Sequence, residues 1–96
     1  MMYFYMNLSD ETDVVYSNLL SDEDGQEYLE VHFERPMLHG FDSARCRIPE
    51  CRWLYNDGYS EEDITSFTEL IKQAETDLFE RAKEATQRLT NEGGKS

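Results

Sequence analysis

The chain has 96 residues, enough for one domain with one modest hydrophobic core. With 39% hydrophobic and 12% aromatic residues, it is too apolar for an intrinsically disordered chain. A net charge of −12 argues against nucleic acids and membranes as partners, because polyanions are bound through clustered Lys and Arg. The sequence has no apolar run that could span a bilayer and no basic secretory signal at its start, so we expect a cytoplasmic protein.

Two strands are predicted at the start of the chain. Residues 2–6 are short and aromatic-rich and are predicted to form the first strand. Residues 14–20 are rich in β-forming side chains and are predicted to form the second, which ends at a polar run. The Asp24-Gly25 pair in that run predicts a hairpin turn, because glycine tolerates the positive φ that such a turn needs.

The two most regular strands follow that turn. Residues 27–34 and 41–48 both alternate apolar with polar side chains, so we expect each strand to bury one face. Pro36 is predicted to end the first of these strands, because proline donates no hydrogen bond to a strand ladder. The side chains predicted to be buried are Leu29, Val31, Phe33, Ala44, Cys46 and Ile48.

The opposite face of this hairpin carries charged candidates for an interaction site. Glu30, His32 and Glu34 would share that face with Arg45 and Arg47 of the neighbouring strand. Opposite charges facing each other across a strand pair stabilise the pairing. We therefore interpret the basic stretch as a cross-strand charge ladder rather than a phosphate site, and His32 as a hydrogen-bonded surface histidine.

The segment after the fourth strand has two interpretations. Pro49 followed by an acid is typical of the first turn of a helix, which predicts a short helix over residues 50–56. Gly58 would then lie at or near the end of that helix. A short fifth strand is the alternative for the same residues.

A long helix is predicted at the C-terminal end. Ser60 as N-cap and Asp63 three residues later form a weak capping box. Apolar residues then recur at three- and four-residue steps to about Thr90, which predicts a helix with one face on the sheet. Residues 91–96 have the composition of a flexible tail, so residues 1–90 are predicted to form a single domain.

The predicted fold class is α+β. We expect a three- to four-stranded antiparallel meander, followed by a short helix and by a long C-terminal helix packed on one face of the sheet. The apolar strand at residues 2–6 would be an exposed sheet edge, and exposed edges pair with other chains. We therefore predict a homodimer, formed through this strand or through the helix.

No catalytic residue, cofactor or metal ion is predicted. Cys46 and Cys51, with His32 and His39 upstream, lack the ligand spacing of a structural zinc site. Cys46 falls on the apolar face and is interpreted as a small core residue, and both thiols are expected to be reduced. The chain also has no glycine-rich phosphate loop and no serine nucleophile motif, so we expect a protein that is not an enzyme.

Three motifs follow one another within residues 28–85: Val31-His32-Phe33-Glu34-Arg35, then Ala44-Arg45-Cys46-Arg47-Ile48-Pro49, and then Gly58-Tyr59-Ser60 at the helix start. This order resembles a family of small bacterial domains of unknown function, whose members carry a His-x-His-Val-Glu-Arg strand and a Gly-Phe-Ser helix start. His32 matches the second histidine of that strand, and Glu30 occupies the place of the first. The resemblance implies the α+β fold and a bacterial cytoplasmic setting, and a toxin–antitoxin role has been suggested for the family.

The leading functional hypothesis is a non-enzymatic protein-interaction module, antitoxin-like or regulatory, with a basic protein as its partner. Asp22, Glu23 and Asp24 are candidate contact residues, because turn geometry alone does not require three acids there. Solubility is the plainer explanation of the acidity. The alternatives are a small enzyme or toxin that uses His32 with neighbouring carboxylates, and an acidic mimic of nucleic acid.

Overall fold

The structure is a computed structural model that describes residues 1–93, with the side chains of residues 1–90. It is an α+β fold, as predicted, but its antiparallel sheet has six strands rather than three or four. The elements are β1 (Met2–Asn7), β2 (Asp13–Ser17), β3 (Leu20–Ser21), β4 (Glu27–Met37), β5 (Gly40–Ile48), β6 (Arg52–Asp57) and α1 (Glu61–Gly93). The strand order is β1-β2-β4-β5-β6, with the short β3 paired to the start of β4.

The hydrophobic core lies between one face of the sheet and α1. All six side chains that the alternation predicted to be buried are fully buried, which confirms that part of the prediction. The ring of Phe67 from α1 stacks on Phe33 of β4 with ring centres 4.2 Å apart. Below Phe67, α1 packs its aliphatic stripe on the sheet through Ile71, Ala74, Leu78 and Ala82.

The predicted short helix over residues 50–56 is wrong, and the alternative strand occupies this place as β6. Cys51 has a left-handed φ of 55° in the turn that precedes the strand, so the proline signal marks a turn. In the extended conformation, Trp53 reaches the core and lies 5.7 Å from the ring of Phe33. Strand pairing with β5 and burial of this ring outweigh the local helix signal.

The predicted strand over residues 14–20 is divided into β2 and β3. The hydroxyl of Ser17 donates to the carbonyl of Asn18 at 2.8 Å. The backbone N–H of Leu19 donates to Thr86 Oγ1 of the helix at 2.9 Å. Because these backbone groups bond to side chains instead of to a neighbouring strand, the ladder stops there.

Pro36 does not end its strand, contrary to the prediction. β4 continues to Met37, and Pro36 pairs with Phe41 of β5. The pairing of β4 with β2 already stops at Glu34, so the strand has an open edge beyond that residue. Proline is tolerated at such an edge because no ladder hydrogen bond is lost.

The start of α1 agrees with the predicted capping box. Ser60 Oγ accepts from the N–H of Asp63 at 3.1 Å, and the N–H of Ser60 donates to the Asp63 carboxylate at 3.2 Å. The tail is predicted over residues 91–96, but the helix continues past Thr90 to Gly93. Residues 94–96 lie outside the described residues. Within residues 1–93, no helix is both long and apolar enough to cross a membrane.

Candidate functional site

The charged side chains predicted as an interaction site lie on the sheet face opposite α1. The register places Glu30 opposite Arg47 and His32 opposite Arg45, so these side chains share one face, as the alternation predicted. Glu30 Oε1 lies 3.1 Å from His32 Nε2 and 3.9 Å from Arg45 Nε. Glu34 pairs with the small Ser43 and is exposed. The charged groups of these side chains largely pair with one another, as expected for a charge ladder that stabilises the sheet.

Arg47 is the most enclosed cation of this face. Its Nη2 lies 3.0 Å from Asp22 Oδ2, and its Nε lies 2.8 Å from Glu50 Oε2 in an ion pair without hydrogen-bond geometry. Its guanidinium carbon lies 3.8 Å from the centre of the Tyr28 ring. Arg47 thus links the β3–β4 turn and the β5–β6 turn to the sheet, and its charge is paired with carboxylates of this same chain.

The three acids predicted as contact residues in the β3–β4 turn differ in their roles. Asp22 Oδ1 accepts from the backbone N–H groups of Gln26 at 3.0 Å and Asp24 at 2.9 Å. The hydrogen bond from Gln26, followed by that from Arg47, lowers the pKa of Asp22 below its ordinary value. Asp22 therefore shapes the turn, whereas the side chains of Glu23 and Asp24 are exposed.

The two cysteines are in contact and both are free. Cys46 Sγ lies 3.7 Å from Cys51 Sγ, and burial raises the pKa of the Cys46 thiol. Among residues 1–93, His, Cys, Asp and Glu nowhere form a group of three or more that could hold a metal ion.

A group of exposed apolar side chains lies at the end of the β4–β5 hairpin, and sequence reasoning missed it. Met37, Leu38 and Phe41 are 53%, 97% and 66% exposed. We call residues 37–41 the hairpin tip. Its sequence signal is three large apolar residues around a two-residue turn, a place where polar residues dominate.

The hairpin tip projects beyond the rest of the sheet. On one side, the pairing with β2 ends at Glu34, and on the other side the pairing with β6 begins only at Ser43. Three residue pairs of the hairpin, from Arg35–Asp42 to Met37–Gly40, therefore extend past the neighbouring strands. A shallow recess of about 340 Å³ lies beside the tip and is lined by residues 37–42.

Arg35 fastens the base of this hairpin to the rest of the fold. Its Nε and Nη2 donate to Asp42 Oδ2 at 3.1 and 2.5 Å, and its Nη1 donates to Asp10 Oδ2 at 2.9 Å. Its guanidinium carbon lies 4.9 Å from the centre of the Tyr59 ring, whose hydroxyl is 3.1 Å from Oγ1 of the fully buried Thr12. The hydrogen bond to Asp42 raises the pKa of Arg35, so the guanidinium stays charged. We call Asp10, Arg35, Asp42 and Tyr59 the basal clamp.

Gly58 completes the basal clamp by leaving room for a carboxylate. A Cβ at this position would lie 2.1 Å from Asp42 Oδ1, and the residue has a φ of 109°. Only glycine meets both conditions. The hairpin is therefore held against both the β1–β2 loop and the start of α1.

Comparison of the chain with protein-family models, with curated proteins and with solved structures gave no match. The resemblance to a family of small bacterial domains stays a prediction that rests on its motifs.

Proposed function

We propose that this protein is a non-enzymatic interaction module that binds another protein through the hairpin tip. The observation that carries the proposal is the joint exposure of Met37, Leu38 and Phe41 on a projecting hairpin. Contiguous exposed apolar side chains on small proteins often mark binding sites. Full burial of one such side chain contributes roughly 1.5–3 kcal/mol, so three of them are enough for the centre of an interface.

The basal clamp supports the same proposal because it ties the base of the hairpin to the rest of the fold. Arg35 holds the hairpin base through two carboxylates and the ring of Tyr59. A surface element that is already ordered loses less conformational entropy on binding, which strengthens the complex. An unclamped apolar loop would have to be ordered by its partner.

We further propose that the module is a regulatory or antitoxin-like subunit that acts in the cytoplasm. The two free thiols, Cys46 and Cys51, support a reducing compartment. A small regulatory subunit needs a surface for its partner rather than a deep substrate pocket, and a projecting apolar hairpin is such a surface.

The test is affinity capture from a lysate of the source organism, with matched variants. The double variant Leu38→Asp, Phe41→Asp should lose a protein that wild type captures in stoichiometric amount, because carboxylates cannot enter an apolar cleft. Leu54→Asp is the control, since Leu54 is 44% exposed on β6, away from the tip. Circular dichroism should show all three proteins folded. Retention of the partner by the double variant would contradict the proposal.

A further inference from the structure

We propose that the cleft on the partner protein is apolar and is bordered by lysine and arginine side chains. This inference rests on the proposed function, since it concerns the protein that receives the hairpin tip. It follows from where folding places the acidic residues of this chain. In the sequence they occur in separate runs, but in space many of them meet at one end of the molecule.

The strand register identifies that end. Asp13 pairs with Glu34, Glu34 with Ser43, and Ser43 with Asp57, so these residues form one row across β2, β4, β5 and β6. The hairpin tip extends from this row. The contacts of Arg35 bring the β1–β2 loop and the segment before α1 to the same end.

We call the acids at this end the acidic collar. It has nine carboxylates, and Arg35 is the one Lys or Arg among the segments that form it, which gives a formal charge of −8 out of −12 for the chain. Seven of the nine are exposed, and Asp42 and Asp63 are half-buried. The members are Asp10, Glu11, Asp13, Glu34, Asp42, Asp57, Glu61, Glu62 and Asp63.

Elsewhere in the described part of the chain, charges are closer to balance. From residue 64 to residue 90, α1 has five acidic and four basic side chains. In the β3–β4 turn, Asp22 is paired with Arg47, whereas Glu23, Asp24 and Glu27 are exposed and form a smaller acidic group. Solubility requires net charge but does not require it at the base of an apolar projection. Two thirds of the net charge, −8 of −12, therefore lies at the end where the molecule also exposes its apolar hairpin.

The apolar hairpin tip and the acidic collar together indicate the chemistry of the partner surface. A hydrophobic centre with a polar rim is the usual composition of a protein interface. The collar would repel anionic lipid, nucleic acid and the collar of a second copy, whereas it attracts a rim of Lys and Arg. Exposed charges at the rim of an interface mainly raise the rate of association. Their effect depends on salt, because screening acts over roughly 10 Å at 0.1 M salt.

The experiment measures association and dissociation rates between this protein and the protein captured through the tip. The triple variant Glu11→Gln, Glu34→Gln, Glu62→Gln removes three exposed collar charges that have no part in the basal clamp. We expect its association to be several-fold slower at low salt, with little change in dissociation and little effect at high salt. The control is Glu23→Gln, Asp24→Asn, Glu27→Gln in exposed positions at the opposite end, and its rates should match wild type.

The outcomes separate this inference from the proposed function. If the tip variant loses the partner but association is indifferent to salt and to the collar variant, the basic rim is wrong and docking by the tip stands. If the tip variant keeps the partner, or wild type captures none, the proposed function itself fails. Sedimentation with neutral phosphatidylcholine vesicles should leave the protein in solution, and vesicle binding that Leu38→Asp abolishes would replace the protein cleft with a membrane.

Discussion

Phe33 lies at the centre of the hydrophobic core. Its ring is fully buried, stacks on Phe67 with centres 4.2 Å apart, and lies 5.7 Å from the ring of Trp53. Phe33→Ala should lower the free energy of unfolding by about 3–5 kcal/mol, because it leaves a cavity that neighbouring rings cannot fill. Urea denaturation measures this loss. An unchanged midpoint would mean that the side chain does not lie in the core.

Asp10 gives the basal clamp a dependence on pH. Partial burial opposes its ionisation, but hydrogen bonds from Thr12 and the charge of Arg35 outweigh burial and hold the pKa of this carboxyl below its ordinary value of 3.8. Its ionised form therefore stabilises the fold above that value, and this stabilisation is lost as pH falls through the lowered pKa.

The variant Asp10→Asn tests this dependence. Asp10→Asn should be less stable than wild type near neutral pH, and the difference should close between about pH 5 and pH 2. Urea midpoints of both proteins across this range give the measurement. A difference that grows on acidification would contradict the ion pair.

Among the elements, the regular strands and the long helix could be predicted, whereas the elements that depend on distant neighbours could not. The alternation in β4 and β5 and the capping pair at Ser60 and Asp63 are visible in the sequence because one element alone produces them. β6 depends on its pairing with β5 and on the contact of Trp53 with Phe33. β4 continues past Pro36 because its pairing with β2 ends before that residue. Both features depend on residues that are distant in the sequence.

Gly58 tests the connection between the hairpin and the start of α1. Gly58→Ala should cost more than about 1 kcal/mol of unfolding free energy, because alanine is strained at positive φ and its Cβ would meet Asp42. Gly25→Ala is the matched control, since Gly25 also has positive φ but has open space around it. Thermal unfolding should show the larger loss for Gly58→Ala, and equal losses would argue against the close contact.

The first strand bears on the predicted homodimer. β1 is an edge of the sheet, and Met2 and Phe4 are exposed on it. An unpaired edge with apolar side chains favours pairing with a second copy. Light scattering should give a mass of about twice 11.3 kDa, and Phe4→Lys should return it to the monomer value. A wild-type monomer at micromolar concentration would contradict the prediction.

The candidate site is harder to predict from the sequence than the fold, because its residues come together only in the folded molecule. The sequence singled out Asp22, Glu23 and Asp24 because they are adjacent in the chain, but Asp22 shapes its turn. The acidic collar is assembled from five separate stretches of the chain, so only the register of the strands reveals it. Leu38 is likewise exposed because the β4–β5 hairpin extends beyond the neighbouring strands β2 and β6.

Photo-crosslinking shows whether the hairpin tip is the contact with another protein. A benzophenone amino acid replaces Leu38 in one variant and Tyr55 in another, since Tyr55 is an exposed aromatic residue on β6. After irradiation in cells of the source organism, we expect position 38 to give one adduct with a different protein and position 55 to give none. An adduct from position 55 with none from position 38 would show that the protein binds its partner through another surface.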